Sequence, residues 1–545
     1  MAFNLAEVQE TIAAAVPERP ALIFRDRRYS FADLTERTRR FANFLLSVGI
    51  RKPVPRAELD NWQSGQDHVA LYLQNGNEYP EAMLGAIKAG AASFNVNYRY
   101  VAEELRYLFN NADTKVIVYH AQYAPVLKSV LADIPPQKAL VQVADESGEP
   151  LLPGAIDYEA ALASASPERP DVTWSPQDLY ILYTGGTTGM PKGVLWQQCD
   201  ILASALGGRA SNGDIITDLA QYSARATRHA PRRYLPTPPF MHGTAQWIAF
   251  SAWHSGNTVV IQDEVDRYDP HHLLDVIERE QINTLSLVGD AFGRPFVEAL
   301  DAGGQDVSSL THILNGGAAM SAQTKSDLLA RLPGLKIIDT IGSSEAGPLA
   351  RQTVTSEGAT SAAPKSIGGS VVLDETLSRV ETPGHAGLGW LAKTGVMPLG
   401  YLGDEAKTRA TFPVIDAVRY SVPGDRAKLL ADGSIEFHGR DSASINSGGE
   451  KIFAEEVERA IGRHGDVADV LVSWRPSERW GQEVVAIVEP RAGTTPSPRE
   501  LVDKAAETIA RYKLPKAVIL VEKVQRHDNG KPDYRWAKTL AHASA

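Results

Sequence analysis

The most informative stretch of the chain is LYILYTGGTTGMPKG, residues 179–193. Its first five residues are apolar or aromatic and predict a buried strand. The glycines that follow permit positive φ and close approach of the backbone to a ligand, so that successive amide N–H groups can form a concavity for an anion. Threonine hydroxyls and a lysine add donors and positive charge. The residues predicted to bind nucleotide phosphates are Thr184, Gly185, Gly186, Thr187, Thr188, Gly189 and Lys192.

This loop is not a Walker A motif. That motif requires Gly-Lys-Ser/Thr in succession, whereas Met190 and Pro191 separate Gly189 from Lys192. A P-loop kinase or ATPase is therefore disfavoured. The alternative without function is a polar loop that happens to be rich in glycine and threonine. It is disfavoured because nearly every residue type in the string has a role in phosphate binding.

Upstream of the loop, helical and strand patterns alternate. Helices are predicted at Phe31–Val48, where apolar residues recur at helical spacing, and at Tyr79–Ala91. Short apolar runs typical of buried strands occur at Val69–Leu73 and Thr114–Tyr119. Such alternation predicts parallel α/β layers.

Downstream of the loop, the pattern changes twice. Short β-like stretches between 366 and 439, separated by Gly, Pro and Asp, predict a small antiparallel barrel or sheet. After Arg440, helical patterns that include Arg499–Arg511 alternate with strand patterns and predict a compact α+β unit of about a hundred residues. We therefore predict an N-terminal domain at 1–440 and a C-terminal domain at 441–545.

Composition excludes several classes of protein. The chain has 66 acidic and 55 basic residues and a net charge of −11, which disfavours nucleic acid as a partner. The basic residues between Arg225 and Arg233 are interpreted as a solvated loop. Because Cys199 is the only cysteine, an intrachain disulfide and a cysteine-rich metal site are excluded.

The sequence also bears on location and assembly. No apolar run reaches the roughly 18–20 residues needed to span a bilayer. The N-terminus has no basic region followed by an apolar one, so no secretory signal is visible. We therefore expect a cytoplasmic protein without a transmembrane segment. The oligomeric state stays open, with a homodimer as one alternative.

The glycine-rich segment resembles the phosphate loop of the adenylate-forming superfamily, which includes acyl-CoA synthetases, luciferases and the adenylation domains of peptide synthetases. The chain departs from the usual form at Gly185, where Ser is common. The resemblance continues, motif by motif and in the same order, over nearly the whole chain. It implies an α/β fold with a large N-terminal domain, made of two packed α/β subdomains and a small β-barrel. A small mobile α+β C-terminal domain would follow.

Three further motifs of the N-terminal domain carry the resemblance. PPFMHG at 238–243 is similar to the family segment beside the reacting carboxylate, which implies that role for His242. NGGAA at 315–319 resembles the turn that lines adenine, and IGSSE at 341–345 resembles a motif whose Glu ligates Mg²⁺. Ile341 replaces an aromatic residue that usually stacks on adenine. The residues implied are His242, Gly316, Gly317, Ala318, Ile341, Gly342, Ser343, Ser344 and Glu345.

The remaining motifs surround the predicted domain junction and the C-terminus. SVPGD at 421–425 resembles the motif whose Asp binds the ribose hydroxyls, and the Arg that follows it in the family also reaches ribose or phosphate. INSGGEK at 445–451 resembles the loop beside the pantetheine arm of coenzyme A, and HDNGKPD at 527–533 resembles the segment with the essential lysine. The roles implied are ribose binding by Asp425 and Arg440, the hinge at Ser442, the pantetheine contact at Gly448 and Gly449, and catalysis by Lys531.

The resemblance implies a function with ATP, Mg²⁺ and coenzyme A. The chain would form acyl-AMP from a carboxylic acid and then transfer the acyl group to the thiol of coenzyme A. Strings such as NVNYRYVAEELRYLF at 95–109 look like actinobacterial ligases for fatty acids and steroid side chains, which favours a hydrophobic acid. Phe240, Trp247 and Phe292 are predicted to line its pocket, and the segment 52–66 has no assigned role. The alternatives are an enzyme that stops at acyl-AMP or loads a carrier protein, and a degenerate nucleotide-binding regulator.

Overall fold

The computed structural model describes residues 3–185, 190–318, 320, 322–359, 361, 363–440, 444–525 and 533–544. The first of these ranges contains strands β1 (Pro20–Phe24), β2 (Arg27–Ser30), β3 (His68–Tyr72), β4 (Ala92–Asn95), β5 (Thr114–His120), β6 (Ala139–Val143), β7 (Ala155–Asp157) and β8 (Leu179–Gly185). Its helices are α1 (Leu5–Ala15), α2 (Phe31–Ser47), α3 (Glu78–Lys88), α4 (Ala102–Asn111), α5 (Ala124–Lys128) and α6 (Tyr158–Ala163).

From residue 190 to 366, the strands are β9 (Pro191–Gln197), β10 (Arg233–Leu235), β11 (Thr258–Ile261), β12 (Thr284–Leu287), β13 (His312–Asn315), β14 (Lys336–Ser343), β15 (Gly347–Thr355), β16 (Gly358–Ala359) and β17 (Lys365–Ser366). The helices of this part are α7 (Gln198–Ala205), α8 (Leu219–Arg228), α9 (Gly243–Trp253), α10 (Pro270–Glu280), α11 (Gly289–Ala302) and α12 (Ala322–Arg331).

The remaining strands are β18 (Ser370–Leu373), β19 (Gly389–Thr394), β20 (Gly400–Tyr401), β21 (Val414–Ile415), β22 (Val418–Leu429), β23 (Ile435–Arg440), β24 (Ser444–Ser447), β25 (Glu450–Phe453), β26 (Val467–Ser477), β27 (Gly481–Pro490) and β28 (Ala517–Leu520). The remaining helices are α13 (Glu405–Thr411), α14 (Ala454–Ile461), α15 (Pro498–Ala505) and α16 (Tyr534–Ala543).

Two large sheets with mainly parallel strands form the first part of the chain. The eight-stranded sheet has the order β20-β9-β8-β4-β3-β5-β6-β7, and the ten-stranded sheet has the order β16-β15-β14-β13-β12-β10-β11-β1-β2 with β17 beside β15. A continuous cluster of buried apolar side chains, including Phe41 of α2 and Phe250 of α9, joins the two sheets. Each sheet has a second apolar cluster on its other face. The predicted pair of packed α/β layers is confirmed, because buried strands of this kind need helices on both faces.

Two smaller antiparallel-rich sheets follow. Strands β18, β19, β21, β22 and β23 form one of them, where the sequence predicted a small barrel or sheet. Strands β24 to β28 form the other, with α14 and α15 packed on a core that includes Val457 and Leu501. The sheet changes between Arg440, where β23 ends, and Ser444, where β24 begins. The boundary at 440/441 lies in this interval and stays a prediction.

Two local expectations are wrong. The helix expected at Arg499–Arg511 ends at Ala505, because the chain then turns so that Lys513 enters a buried cluster of carboxylates. The basic stretch interpreted as a solvated loop includes the helix α8. In that helix, the guanidinium of Arg225 donates hydrogen bonds to the carbonyl oxygens of Gly207 and Arg209, so its charge holds a neighbouring turn in place.

Candidate active site

A cavity of about 1160 Å³ lies between the two large sheets, the sheet formed by β18, β19, β21, β22 and β23, and the C-terminal domain. The end of β8, the turns after β12 and β13, and the hairpin formed by β24 and β25 all reach it. Many of the residues predicted to bind the nucleotide, the acid or coenzyme A line this cavity. They are Thr184, Gly185, His242, Gly316, Gly317, Ala318, Ile341, Gly342, Ser343, Ser344, Glu345, Asp425 and Gly449.

The described ends of the glycine-rich segment belong to two paired strands. Strands β8 and β9 are antiparallel, with Thr184 opposite Lys192 and Gly185 opposite Pro191. The predicted phosphate-binding residues Gly186, Thr187, Thr188 and Gly189 lie outside the described residues. The register places Lys192 directly opposite Thr184 on the neighbouring strand.

Lys192 is almost buried and lies beside a second cation. Its ammonium group is 5.7 Å from the ring centroid of Tyr401. Burial and the neighbouring ammonium of Lys407 lower the pKa of Lys192 to about 8. Two close ammonium groups in a partly dry site favour the binding of an anion. The sequence reasoning missed Lys407, since it lies 215 positions downstream in α13 with no motif that links it to the loop.

Glu345 is held by hydrogen bonds on two sides. Tyr401 donates its hydroxyl to Glu345 Oε1 at 3.0 Å, and Ser421 Oγ donates to the main-chain oxygen of Glu345 at 2.6 Å. Trp196 Nε1 donates to the main-chain oxygen of Ser344 at 2.9 Å. Within the described residues, the buried hydroxyl of Ser343 has no hydrogen-bond partner. The motif is therefore fixed by its backbone, while polar groups of its side chains stay available to a ligand.

The donor set around Glu345 fits Mg²⁺ bound together with phosphate. In the part of the chain that the structure describes, no group of three or more His, Cys, Asp or Glu side chains is arranged to hold a metal ion. Glu345 is a buried carboxylate beside Lys192 rather than a member of such a cage. Mg²⁺ usually takes one or two carboxylates and completes its shell with water and substrate phosphates, so a single carboxylate at this position suits it.

The turn after β13 is fixed by side-chain hydrogen bonds. Asn315 Nδ2 donates to Asp339 Oδ1 at 2.7 Å and to the main-chain oxygen of Ala318 at 3.2 Å. The main-chain N–H of Gly289 donates to Asn315 Oδ1 at 2.8 Å. Gly317 has φ +87°, a left-handed conformation that favours glycine. These bonds present the backbone of the turn to the cavity in one defined shape.

The residue predicted to contact the base and the residue predicted to bind the ribose lie on two neighbouring sheets, the ten-stranded sheet and the sheet that contains β22. Ile341, on β14, packs against the apolar core of that sheet, which includes Leu349 and Ala427. Asp425 lies in β22, is buried, and is opposite Arg440 of β23 in the strand register. The backbone of Arg440 is thus next to Asp425, but its side chain lies outside what the structure describes.

The tip of the β24–β25 hairpin enters the site through its two glycines. Gly448 has φ +58° and Gly449 has φ +83°, so both are left-handed. A Cβ atom on Gly449 would be 2.9 Å from Val288 Cγ1, and one on Gly448 would be 2.7 Å from the ring of Trp480. No side chain fits at either position without displacement of these neighbours. Of the two glycines predicted beside the pantetheine arm, Gly449 lies against Val288 of the N-terminal domain and Gly448 lies against Trp480 of its own domain.

The next residue, Glu450, joins the two domains electrostatically. Its Oε1 is 3.2 Å from His242 Nε2 and 2.5 Å from Arg99 Nη1. Burial alone would raise the pKa of Glu450, but His242 and Arg99 outweigh it and the pKa falls to about 2. Asn97 Nδ2 also donates to the hydroxyl of Tyr512 of the C-terminal domain, at 3.2 Å. Sequence reasoning missed these contacts, although the NVNYR string that contains Arg99 was noted for its resemblance.

A buried cluster makes a second connection between the domains. Lys513 Nζ lies 2.5 Å from Glu104 Oε1 of the N-terminal domain and 2.6 Å from Glu456 Oε1 of the C-terminal domain. All three side chains are nearly fully buried. Burial raises the pKa of Glu456 to about 7, with Glu104 adding to the shift and Lys513 opposing it. The ammonium of Lys513 thus forms ion pairs with one carboxylate from each domain.

The segment 52–66 braces the loop that leads to Lys407. The main-chain oxygen of Trp62 accepts a hydrogen bond from Gly403 N at 2.8 Å. The guanidinium of Arg409 lies 5.3 Å from the ring centroid of Trp62. Both contacts fall on Gly400–Arg409, the stretch that carries Tyr401 and Lys407. The segment therefore packs against the stretch whose Tyr401 contacts Glu345 and whose Lys407 neighbours Lys192.

The comparisons with known proteins agree with this geometry. The pattern of the family described as "AMP-binding enzyme" matches residues 9–402, and that described as "AMP-binding enzyme C-terminal domain" matches residues 456–531. The chain belongs to the AMP-binding enzyme family. The resemblance to adenylate-forming enzymes is confirmed. The candidate site of this AMP-binding enzyme is lined by residues of both matched regions.

Named relatives match over their full length. "Medium-chain acyl-CoA ligase Mig" of Mycobacterium avium is 47% identical, over 99% of this chain and 98% of the relative. "Medium/long-chain-fatty-acid--CoA/3-oxocholest-4-en-26-oate--CoA ligase" of Mycolicibacterium smegmatis is 40% identical, over 99% of this chain and 97% of the relative. The solved structure of the amide bond synthetase McbA from Marinactinospora thermotolerans covers 99% of both chains with a TM-score of 0.79 and 19% identity, which shows the shared fold.

Some predicted residues of this AMP-binding enzyme are elsewhere or undescribed. Ser442 and Lys531 lie outside the described residues. Of the three aromatic side chains expected in the acyl pocket, Trp247 lines the cavity. Phe240 instead stacks on Tyr79, with 5.5 Å between ring centroids, and Phe292 packs on Tyr268 at 4.2 Å. The latter two serve the apolar core, which is the commoner place for a large aromatic side chain. No helix among the described residues combines the length and the apolar character that crossing a bilayer requires.

Proposed function

We propose that this AMP-binding enzyme is an ATP-dependent acyl-CoA synthetase that forms acyl-AMP from a hydrophobic carboxylic acid and transfers the acyl group to coenzyme A. One observation carries the proposal. The flanks of the glycine-rich loop, Glu345, Asp425 and the glycine hairpin of the C-terminal domain all face one cavity. Such a cavity has groups for a nucleotide beside the hairpin whose motif resembles the family's pantetheine loop.

For the first half-reaction, the substrate carboxylate attacks the α-phosphorus of ATP and pyrophosphate leaves. Lys192 and the backbone of the glycine-rich loop hold phosphate oxygens, and Asp425 accepts hydrogen bonds from the ribose hydroxyls. Mg²⁺, held by Glu345, would neutralise phosphate charge. Lys531 supplies an ammonium for the charge that develops as the P–O bond breaks. These roles follow from the family motifs and the placement of the described residues.

For the second half-reaction, the thiol of coenzyme A attacks the acyl carbon and AMP leaves. The backbone of Gly448 and Gly449 lies against Val288 and Trp480, with no space for side chains. A hairpin of this shape supports a passage for the thin pantetheine arm beside the backbone. We propose that the domain from 441 to 545 turns about Ser442 between the two steps, so that Lys531 and this hairpin alternate in the site. The described contacts are those expected for the second step.

The substrate class is proposed from the cavity and from the relatives. The inner part of the cavity is lined on one side by Trp247 and Ile248 of α9 and on the other by Leu314 and Ile338 of the ten-stranded sheet. Apolar walls favour a hydrophobic acyl chain. The names of the relatives add medium-chain and long-chain fatty acids and a steroid side-chain acid. We therefore propose a fatty acid or a steroid side-chain acid as the substrate.

The test is acid-dependent release of pyrophosphate, measured with fatty, aromatic and steroidal acids in the presence and absence of coenzyme A. A synthetase releases pyrophosphate with the hydrophobic acids and forms thioester and AMP when coenzyme A is added. Release without any thioester would indicate an enzyme that stops at acyl-AMP or loads a carrier protein. Nucleotide binding without release for any acid would support a regulator instead.

Lys531→Ala tests the division of labour between the two steps. We expect acyl-AMP formation to fall by at least about a hundredfold, because the ammonium stabilises charge that exists only while pyrophosphate leaves. Thioester formation from supplied acyl-AMP should stay close to the wild-type rate. An equal loss in both half-reactions would refute the alternating arrangement of the C-terminal domain.

A further inference from the structure

The part of the cavity at the start of strands β10, β12 and β13, called its inner end below, is lined by polar side chains. Strands β10, β12 and β13 lie side by side, and their register places Tyr234 opposite Thr284 and Thr284 opposite His312. These three residues line the cavity, whereas their neighbours Leu235, Leu285 and Ile313 are in the apolar core on the other face of the sheet. Alternation along a strand thus directs a row of three polar side chains into the inner end.

His312 presents a hydrogen-bond donor at this end. Its Nδ1 is 2.7 Å from Arg232 Nη2 and 2.9 Å from Thr311 Oγ1. Because a guanidinium has no acceptor, Nδ1 accepts from Arg232, and the ring proton of the neutral imidazole is on Nε2. Burial and the positive charges of Arg232 and Lys336 lower the pKa of His312 to about 4, so the ring is neutral at physiological pH. Within the described residues, Nε2 has no hydrogen-bond partner.

Thr284 provides an independent indication of a ligand. The residue is only 3% exposed, and its hydroxyl has no hydrogen-bond partner in the part of the chain that the structure describes. A buried hydroxyl without a partner is unfavourable, and such groups in native proteins usually mark a place that water or a ligand occupies. Thr284 is the direct neighbour of His312 across the sheet, so the two groups are able to serve one ligand atom or two adjacent ones.

The inner end is far from the reacting centre. His312 begins β13, and the strand leads to Gly316 in the turn at the nucleotide side of the cavity. Four residues of extended strand span roughly 13 Å. A group that reaches His312 is therefore at the end of the substrate that is remote from the carboxylate.

We propose that the inner end of the cavity selects acids that carry a carbonyl oxygen remote from the carboxyl group, with His312 Nε2–H and the Thr284 hydroxyl as donors. Arg232 is the positioning residue that fixes the tautomer of His312. This inference rests on the proposed function and deepens it by naming a feature of the substrate. A ketone on a long alkyl chain and a ketone on a steroid ring share this chemistry.

The experiment uses the full chain and measures kcat/KM for pyrophosphate release. One series consists of saturated acids of one chain length with an oxo group moved carbon by carbon, together with the unsubstituted acid. A second pair consists of a steroid side-chain acid with and without its ring ketone. We expect wild type to prefer an oxo acid at one position by roughly 3- to 10-fold, the value of one hydrogen bond. The series that shows the preference identifies the source of the ketone.

His312→Phe should lower kcat/KM for the oxo acid more than for the unsubstituted acid and so remove this preference. His312→Gln keeps an N–H donor and should retain part of the preference, and Thr284→Val should reduce it. His271→Phe is the matched control, because His271 is an exposed histidine on α10. Arg232→Met should weaken the preference for the oxo acid without a matching loss for the unsubstituted acid.

Two results would overturn the inference. One is the absence of any preference for an oxo acid in wild type, a measurement that needs no variant to fold. The other is an equal loss with substituted and unsubstituted acids in His312→Gln and Thr284→Val at unchanged melting temperature. Either result leaves the proposed function intact as long as hydrophobic acids release pyrophosphate. Failure of every acid would instead contradict the proposed function itself.

Discussion

Lys192, on the strand that follows the glycine-rich segment, and Lys407 form a pair of neighbouring cations. Their mutual repulsion and the burial of Lys192 keep the pKa of the latter near 8, so its charge changes within an accessible pH range. Below that pKa the ammonium attracts phosphate, and a bound phosphate in turn favours the charged form of the lysine. Because of these two lysines, we expect the affinity for ATP to depend on pH.

We predict that ATP affinity falls as the pH rises from 7 to 9.5, because Lys192 loses its proton near pH 8. Lys192→Met should weaken ATP binding at pH 7 by roughly 10- to 100-fold, the usual range for a hydrogen bond to a charged group. The variant should also lose the step in affinity near pH 8. Isothermal titration calorimetry across this pH range measures both effects. Lys128→Met, at an exposed position of α5, is the control; a pH step that persists in Lys192→Met would contradict the assignment.

The β24–β25 hairpin brings the C-terminal domain to the cavity. Its tip consists of two left-handed glycines in contact with Val288 and Trp480. A Cβ atom at Gly449 would approach Val288 to 2.9 Å, which forces the hairpin or the N-terminal domain to shift. The hairpin therefore has little room for additional side-chain atoms in the position that it occupies in this structure.

Gly449→Ala should lower the rate of thioester formation from supplied acyl-AMP by at least about tenfold, since a displaced tip narrows the proposed thiol passage. Acyl-AMP formation should change much less. Gly493→Ala is a matched control in the same domain, because Gly493 also has positive φ, at +81°, but a Cβ there meets no atom within 4 Å. Single-turnover measurements of each half-reaction separate the two effects. Equal behaviour of the two variants would show that backbone strain, and not the contact with Val288, matters.

Several of these strands and helices are predictable from the sequence, and some are not. The strand at Leu179–Gly185 follows from its apolar run, and the helix at Phe31–Ser47 from its spacing of apolar residues. The β24–β25 hairpin was expected only as a loop, because its polar residues show no clear alternation. The places of Phe240 and Phe292 are not predictable either, because composition does not distinguish an aromatic side chain in a pocket wall from one in a packed core.

The contacts between the two domains are beyond the reach of sequence patterns. Glu450 meets Arg99, and Lys513 meets Glu104, across more than 300 positions of the chain. No periodicity or local motif connects such pairs, whereas motif order correctly indicated that Glu345, Asp425 and Gly449 face one cavity. The family resemblance therefore anticipated which segments meet, and only the structure shows which side chains join the domains.

Glu456 makes the stability of the folded protein depend on pH. Its pKa is about 7 in the folded protein and 4.5 in the absence of burial. The folded state therefore holds a proton that the unfolded chain releases at lower pH. This contribution to stability is complete below pH 4.5 and is lost as the pH rises through about 7.

Between pH 5 and 7.5, we expect the wild type to lose on the order of 1–3 kcal/mol of stability relative to Glu456→Gln, which has no proton to release. The difference arises because ionised Glu456 must share Lys513 with Glu104 in a buried site. Denaturant unfolding at a series of pH values measures it. Glu507→Gln, at an exposed position of the same domain, should show no such trend. Parallel pH profiles for wild type and Glu456→Gln would contradict the prediction.

The contact between Glu450 and His242 implies an order of events. Glu450 brings a negative charge beside His242, for which the family resemblance implies a place next to the carboxylate of the incoming acid, and two like charges in a half-buried place repel each other. A free acid and the docked hairpin therefore exclude one another. Once the carboxylate has become the carbonyl of the mixed anhydride with AMP, its own charge is gone and the remaining negative charge lies on the phosphate, so the hairpin is able to dock. Docking of the hairpin thus depends on the loss of the charge of the acyl carboxylate.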